Sequence, residues 1–186
     1  MNPLDIIFDH YQKGSPLTDI LIRHSEQVRD KALAVAGKVP HLKPDLTFIS
    51  EAAMLHDIGI YKTSSPKIGC FGKKPYICHG VIGGRILKKY GLKAHALVCE
   101  RHVGVGLTRK DIKSRHLPLP RRDMSPISIE EMIICYADEF FSKTNGGKAH
   151  SVEKVIAKLQ RYGDDQVRRF ASWHQLFTDP LILESP

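Results

Sequence analysis

The chain has 186 residues, 42% of them hydrophobic and 26% charged, and carries a formal net charge of +8. That length supports one sizeable core rather than two, and the composition excludes a disordered or fibrous chain. No apolar run approaches the length of a membrane span. The start MNPLDIIFDHYQKG lacks the basic opening, apolar stretch and cleavage site of a signal peptide, so a cytoplasmic protein with no membrane partner is the expectation.

Apolar periodicity is helical nearly throughout. Residues 18–36 place Leu21, His24, Val28 and Val35 on one stripe. Residues 45–57 align Ile49, Ala53 and His56, and the segment ends in His56-Asp57-Ile58-Gly59. The stretch SSPKIGCFGKKP, residues 64–75, reads as a loop from its Gly, Pro and Lys content. Residues 79–90 align His79, Ile82, Ile86 and Tyr90, and residues 93–102 bring Val98, Cys99 and His102 together. A second loop, SRHLPLPRRDMSP, covers 114–126. Ser128 with Glu131 fits a capping box opening a helix over 129–143, which aligns Ile134, Asp138 and Phe141. Two closing helices are expected at about 151–162 and 164–177, and no segment alternates like a strand. The predicted fold is all-α: a single-domain helical bundle over residues 1–186, with its core at about 18–143.

The four cysteines, Cys70, Cys78, Cys99 and Cys135, form no C-x-x-C pair, which argues against a zinc ribbon or a redox motif. Cys99 and Cys135 sit in apolar helical patterns and read as small core residues. The basic residues gather in two regions. One holds Lys62, Lys67, Lys73 and Lys74; the other holds Arg109, Lys110, Lys113, Arg115, Arg121 and Arg122. Such charge suits an anionic small molecule, an anionic surface or nucleic acid, but no nucleic-acid-binding motif accompanies it.

The informative residues are those that interrupt the apolar stripes: His24, His56, Asp57, His79, His102 and Asp138. One histidine on such a face is an ordinary core residue. An isolated carboxylate at Asp138, flanked by Ile134, Cys135 and Phe141, costs several kcal/mol or becomes protonated. Four histidines and two aspartates drawn from five helices make a poor core. They make a good site for a divalent metal, which imidazole and carboxylate both suit. The formal charge favours two ions: the ligand set carries −2, and two divalent cations bring it to about +2, enough to hold hydroxide and attract phosphate.

His24, then His56-Asp57, then Asp138 resemble the H…HD…D signature of the HD-domain superfamily of metal-dependent phosphohydrolases, and the run HDIG at 56–59 is its most recognisable form. His79 and His102 match the extra histidines of the binuclear branch, H…HD…H…H…D. The resemblance implies two divalent ions (Fe, Mn, Zn, Ni or Mg). His24, His56, Asp57 and Asp138 would hold the first, Asp57 would bridge, and His79 and His102 would complete the second. It further implies catalytic roles for Asp57, His79 and His102. Ile60 stands where many binuclear relatives carry Lys, and the Gly-Tyr-Pro extension of cyclic dinucleotide phosphodiesterases is absent. Size and spacing are closer to small stand-alone HDIG hydrolases.

The expected reaction is hydrolysis of a phosphoester or phosphoanhydride, on a nucleotide or similar anionic small molecule, by a metal-activated hydroxide. Lys62 and Arg109 are the candidate phosphate contacts. Two alternatives share the ligand list: a di-iron oxygenase of the HD type, and a non-catalytic metal-containing sensor or binding module.

Overall fold

A computed structural model describes residues 1–178 except Asn145. The architecture is essentially all-α. Helices α1 (Pro3–Phe8), α2 (Pro16–Ala36) and α3 (Leu46–Leu55) lead to a small sheet. After it come α4 (His79–Lys89), α5 (Lys93–Arg101), α6 (Arg109–Ser114), α7 (Ile129–Asp138), α8 (Val152–Gln160) and α9 (Asp164–Thr178). The long helix α2 starts where Pro16 follows the N-cap Ser15, whose Oγ accepts from the Thr18 amide, a pairing that satisfies an orphan donor of the first turn. Asp45 caps α3 in the same way through the Phe48 amide, at 2.9 Å. No helix among the described residues is long and apolar enough to cross a membrane.

Three apolar clusters build the core, the smallest around Val81, Ile112 and Met124, and two of them flank the polar stripe. One gathers Val28, Ile49, Ala53, Ile133, Ile134, Phe170 and Phe177 from α2, α3, α7 and α9. The other gathers Ile7, Leu21, Leu55, Ile58, Leu87 and Cys99 from α1 to α5. On α2, Leu21 belongs to one cluster and Val28 to the other, and His24 lies between them, buried. The polar stripe residue therefore sits at the seam where the two apolar clusters meet. All four cysteines are free and buried.

Three expectations change. The 64–75 segment contains a three-stranded sheet in the order β2-β1-β3, from β1 (Thr63–Ser65), β2 (Cys70–Phe71) and β3 (Lys74–Pro75). Strands of two or three residues are too short to show an alternation. The helix expected over 129–143 ends at Asp138, because Phe140 and Phe141 turn back onto the Ala137 and Asp138 carbonyls. The capping box at Ser128 is only half made. Ser128 Oγ accepts from the Glu131 amide at 3.2 Å, but the Glu131 carboxylate serves the Ile127 amide and Arg101 instead.

A buried ion-pair group ties α4 and α5 to the second loop. Glu100 is 2% exposed and receives Lys88 Nζ at 2.8 Å and the Arg122 guanidinium. Burial alone would raise its pKa, but the hydrogen bonds from Lys88 and Arg122 hold it below the ordinary 4.5. A depressed carboxylate pKa contributes stability above the unfolded value and loses it as pH falls through the folded one. Glu100→Gln should therefore cost about 1.5–3 kcal/mol at neutral pH, the worth of a hydrogen bond to a charged group. The difference from wild type should shrink below about pH 4.5. Denaturant melts at pH 7 and pH 3.5 check this; a constant difference would contradict it.

Candidate metal centre

Most of the centre is built from helix ends. His56 is the C-cap of α3, His102 the C-cap of α5, His79 the first residue of α4, and Asp138 the last of α7. The final turn of a helix leaves carbonyls without an intrahelical partner. His56 Nδ1 meets one of these, the Ala53 carbonyl, at 2.6 Å, and His102 Nδ1 meets the Cys99 carbonyl at 2.8 Å. His79 Nδ1 meets the Tyr76 carbonyl at 2.7 Å. A carbonyl only accepts, so each Nδ1 carries a proton, and Nε2 is the nitrogen that each ring turns to the centre. Tying the distal nitrogen in this way is the usual support of a metal-ligating histidine.

All six residues named from the sequence converge. His24 Nε2 lies 3.2 Å from Asp57 Oδ2 and 3.0 Å from Asp138 Oδ1. His56 Nε2 lies 3.1 and 3.6 Å from the same two oxygens. On the other side, Asp57 Oδ1 is 3.3 Å from His79 Nε2 and 3.7 Å from His102 Nε2, and those two nitrogens are 2.9 Å apart. Two ligands of one metal at 2.0–2.2 Å and ordinary angles lie roughly 2.9–3.5 Å apart. Five of these seven separations fall in that range and two slightly exceed it.

The donor set fits a metal by a second measure. His56 Nε2 and Asp57 Oδ1 are buried and have no hydrogen-bond partner. Buried polar atoms are rarely left so, and a metal ion satisfies both. The triads His24–His56–Asp138 and His56–Asp57–His102 each gather ligand atoms within 4.8 Å of one another.

Electrostatics point the same way. Burial works against ionisation of Asp57, yet Lys143 and His56 hold its carboxyl well below the usual range. Asp138, partly exposed where Asp57 is fully buried, is likewise held down by His24 and His56. Burial pushes His79 down to about 4 in spite of Asp57, which leaves it neutral and able to ligate at neutral pH. His56 goes the other way: Asp57 and Asp138 outweigh burial and raise it to about 10. A metal at His56 therefore displaces a proton, so acid weakens metal uptake.

Gly59 explains itself by packing. Its φ is −85°, which any residue adopts. An added Cβ, however, would stand 2.2 Å from the His79 carbonyl oxygen and 2.5 Å from the Gly83 nitrogen. The absent side chain lets α4 lie directly against the His-Asp turn, which brings His79 to Asp57.

A cavity of about 480 Å³ opens on the centre, lined in part by His79, His102, Asp138, Arg115, Lys158 and Tyr162. Lys62 and Arg109 are not on its wall. Lys62 is exposed, with its ammonium 5.4 Å from the centre of the Tyr61 ring. Arg109 is exposed at the start of α6, where its backbone amide donates to Asp123. Sequence proximity to the His-Asp pair suggested Lys62, but the turn from Ile60 into β1 carries it outward. The residue that sequence reasoning missed is Lys143. Its ammonium contacts Asp57 Oδ2 and lies 3.1 Å from His24 Nε2. A helix continued to 143 would have put it away from Asp138. The Asn-Gly-Gly that follows was the available signal that the helix stops early.

The family model for the HD domain matches residues 21–142. An uncharacterised protein of Methanocaldococcus jannaschii is 33% identical over 138 residues, covering 74% of this chain and 71% of its own. Two proteins named tRNA (cytidine(56)-2'-O)-methyltransferase also match. That of Thermoplasma volcanium is 29% identical over 90% of this chain, and that of Picrophilus torridus 34% over 70%. The chain spans only 44% and 34% of the length of those two. No solved structure gives a significant match. The matched segment carries all six residues of the cluster, and the chain belongs to the HD-domain family of metal-dependent phosphohydrolases.

Proposed function

We propose that the protein is a hydrolase of phosphate esters or anhydrides that works with two divalent ions. His24, His56 and Asp138 would hold one ion, His79 and His102 the other, and Asp57 both. The observation that carries this reading is the division of Asp57. Its Oδ2 faces His24 and His56, and its Oδ1 faces His79 and His102. One carboxylate between two groups of donors suits a bridge.

Divalent ions at such a centre supply a lowered pKa for water and neutralise phosphate oxygens. The chain's own part is orientation and exclusion. The three Nδ1 anchors fix the imidazoles, and the buried Asp57 keeps its charge out of bulk water, where it acts at full strength. Arg115 on the cavity wall favours an anionic substrate, while Lys158 there is paired with Glu139 at 2.8 Å. Tyr162 beside Arg115, 5.1 Å from ring to guanidinium, offers a face for a base. The tRNA-linked names of two relatives also favour phosphate carried on a nucleotide.

The test is metal analysis of the purified protein, then a phosphate-release screen over mono-, di- and dinucleotides with added manganese or iron. Release should require metal and stop with a chelator. Metal-loaded protein that releases no phosphate from any substrate but consumes oxygen would replace this reading with an oxygenase.

A further inference from the structure

Lys143 is the cation nearest the centre, and its position conflicts with metal. Its side chain is only 13% exposed, and its ammonium sits against Asp57 Oδ2 and 3.1 Å from His24 Nε2. Those two atoms, 3.2 Å apart, belong to one group of donors. A divalent ion they share would lie about 2.0–2.2 Å from each. The ammonium occupies the same lone pairs and repels the ion. The two cations exclude one another.

Lys143 can leave without the fold opening. Four methylenes separate its ammonium from the backbone, and the side chain already lines the cavity beside Ser142 and Thr144. The segment is held from behind by Gln27, whose Nε2 donates to the Gly147 carbonyl at 2.7 Å. A rotamer change would swing the ammonium from Asp57 into the cavity, where a substrate phosphate would lie. Asp57 is never left uncompensated, because the incoming metal replaces the departing charge. An unpaired carboxylate there would be expensive.

We propose that Lys143 is an internal cation that yields Asp57 to the metal and then serves as the phosphate contact of the loaded centre. This rests on the two-metal reading above.

The experiment titrates chelator-stripped protein with Mn²⁺ by calorimetry. It compares wild type, Lys143→Met, Lys143→Arg and, as a loop control, Lys113→Ala. Lys143→Met should bind its first ion at least about tenfold more tightly, about 1.4 kcal/mol, since no ammonium is displaced. The metal-free variant should melt roughly 2–4 °C lower, since Asp57 has lost its partner. Opposite signs on metal affinity and metal-free stability distinguish this role from ordinary packing. At saturating Mn²⁺, KM for a phosphate substrate should rise at least about tenfold with metal content unchanged. Lys143→Arg keeps the charge and a fork of donors, so its metal affinity should not exceed wild type. Equal or weaker Mn²⁺ binding by Lys143→Met overturns the displacement, and unchanged kinetics at saturation overturn the phosphate contact. If Lys143→Met does not fold without metal, Lys143→Arg decides: binding tighter than wild type overturns the proposal. Failure of wild type itself to bind Mn²⁺ or Fe²⁺ would sink the metal reading first, and is distinguishable from all of these.

Discussion

Asp57→Ala should release metal from both halves of the centre, whereas His102→Ala should release it mainly from one. Ligand count is the reason. Asp57 offers one oxygen to each group of donors, and His102 contributes a single nitrogen to the Oδ1 side. Losing both ions returns the pKa of the attacking water from near 7 to about 15.7, so phosphate release should fall by at least about a thousandfold. Asp57→Asn is the companion variant. It keeps the shape of the buried side chain but supplies one neutral oxygen, and should also fail to hold two ions. Metal-to-protein ratios of the dialysed proteins, measured together, decide the matter. Equal loss from Asp57→Ala and His102→Ala would count against a bridge.

Gly59→Ala should damage the centre without touching a ligand. The new methyl meets backbone atoms of His79 and Gly83 at 2.2 and 2.5 Å, and backbone cannot step aside as a flexible side chain can. Helix α4 must retreat, taking His79 from Asp57 at 3.3 Å and from His102 at 2.9 Å. Overpacking of this kind costs about 1–3 kcal/mol, and a displacement near 1 Å costs on the order of a hundredfold in rate. Gly37→Ala is the control. Its added Cβ would sit 3.5 Å from the Leu33 carbonyl, in ordinary contact, with φ at −64°. Stability there should change by less than about 0.5 kcal/mol. A Gly59→Ala protein with normal melting and full metal content would refute the packing argument.

These contrasts show what the sequence makes legible. His24, His56, His79, His102 and Asp138 stand out because each is polar on a face that helical spacing marks as apolar. Such interruptions survive in one dimension. The helical architecture is legible for the same reason. Lys143 is not, because it acts from beyond a helix end, where periodicity no longer says which way a side chain points. Lys62 and Arg109 drew attention by charge and nearness in sequence, and neither quantity encodes the turns that carry them from the cavity. The short strands around Ser64 escape because their pairing depends on Cys70 and Lys74 meeting β1, which no local pattern announces.

The placement of ligands at helix ends also governs which changes in chain length the protein tolerates. One residue inserted within α3 turns His56 by about 100° and moves it about 1.5 Å along the axis. The same holds for His102 at the end of α5 and Asp138 at the end of α7. Their lengths are therefore fixed as counted from the core contacts that hold each helix. The ends of α8 and α9 carry no ligand, and the segment from His116 to Ser125 holds none either. Insertions and deletions between related chains should collect in these stretches, leaving the three helices that end in a ligand, α3, α5 and α7, the same number of residues long.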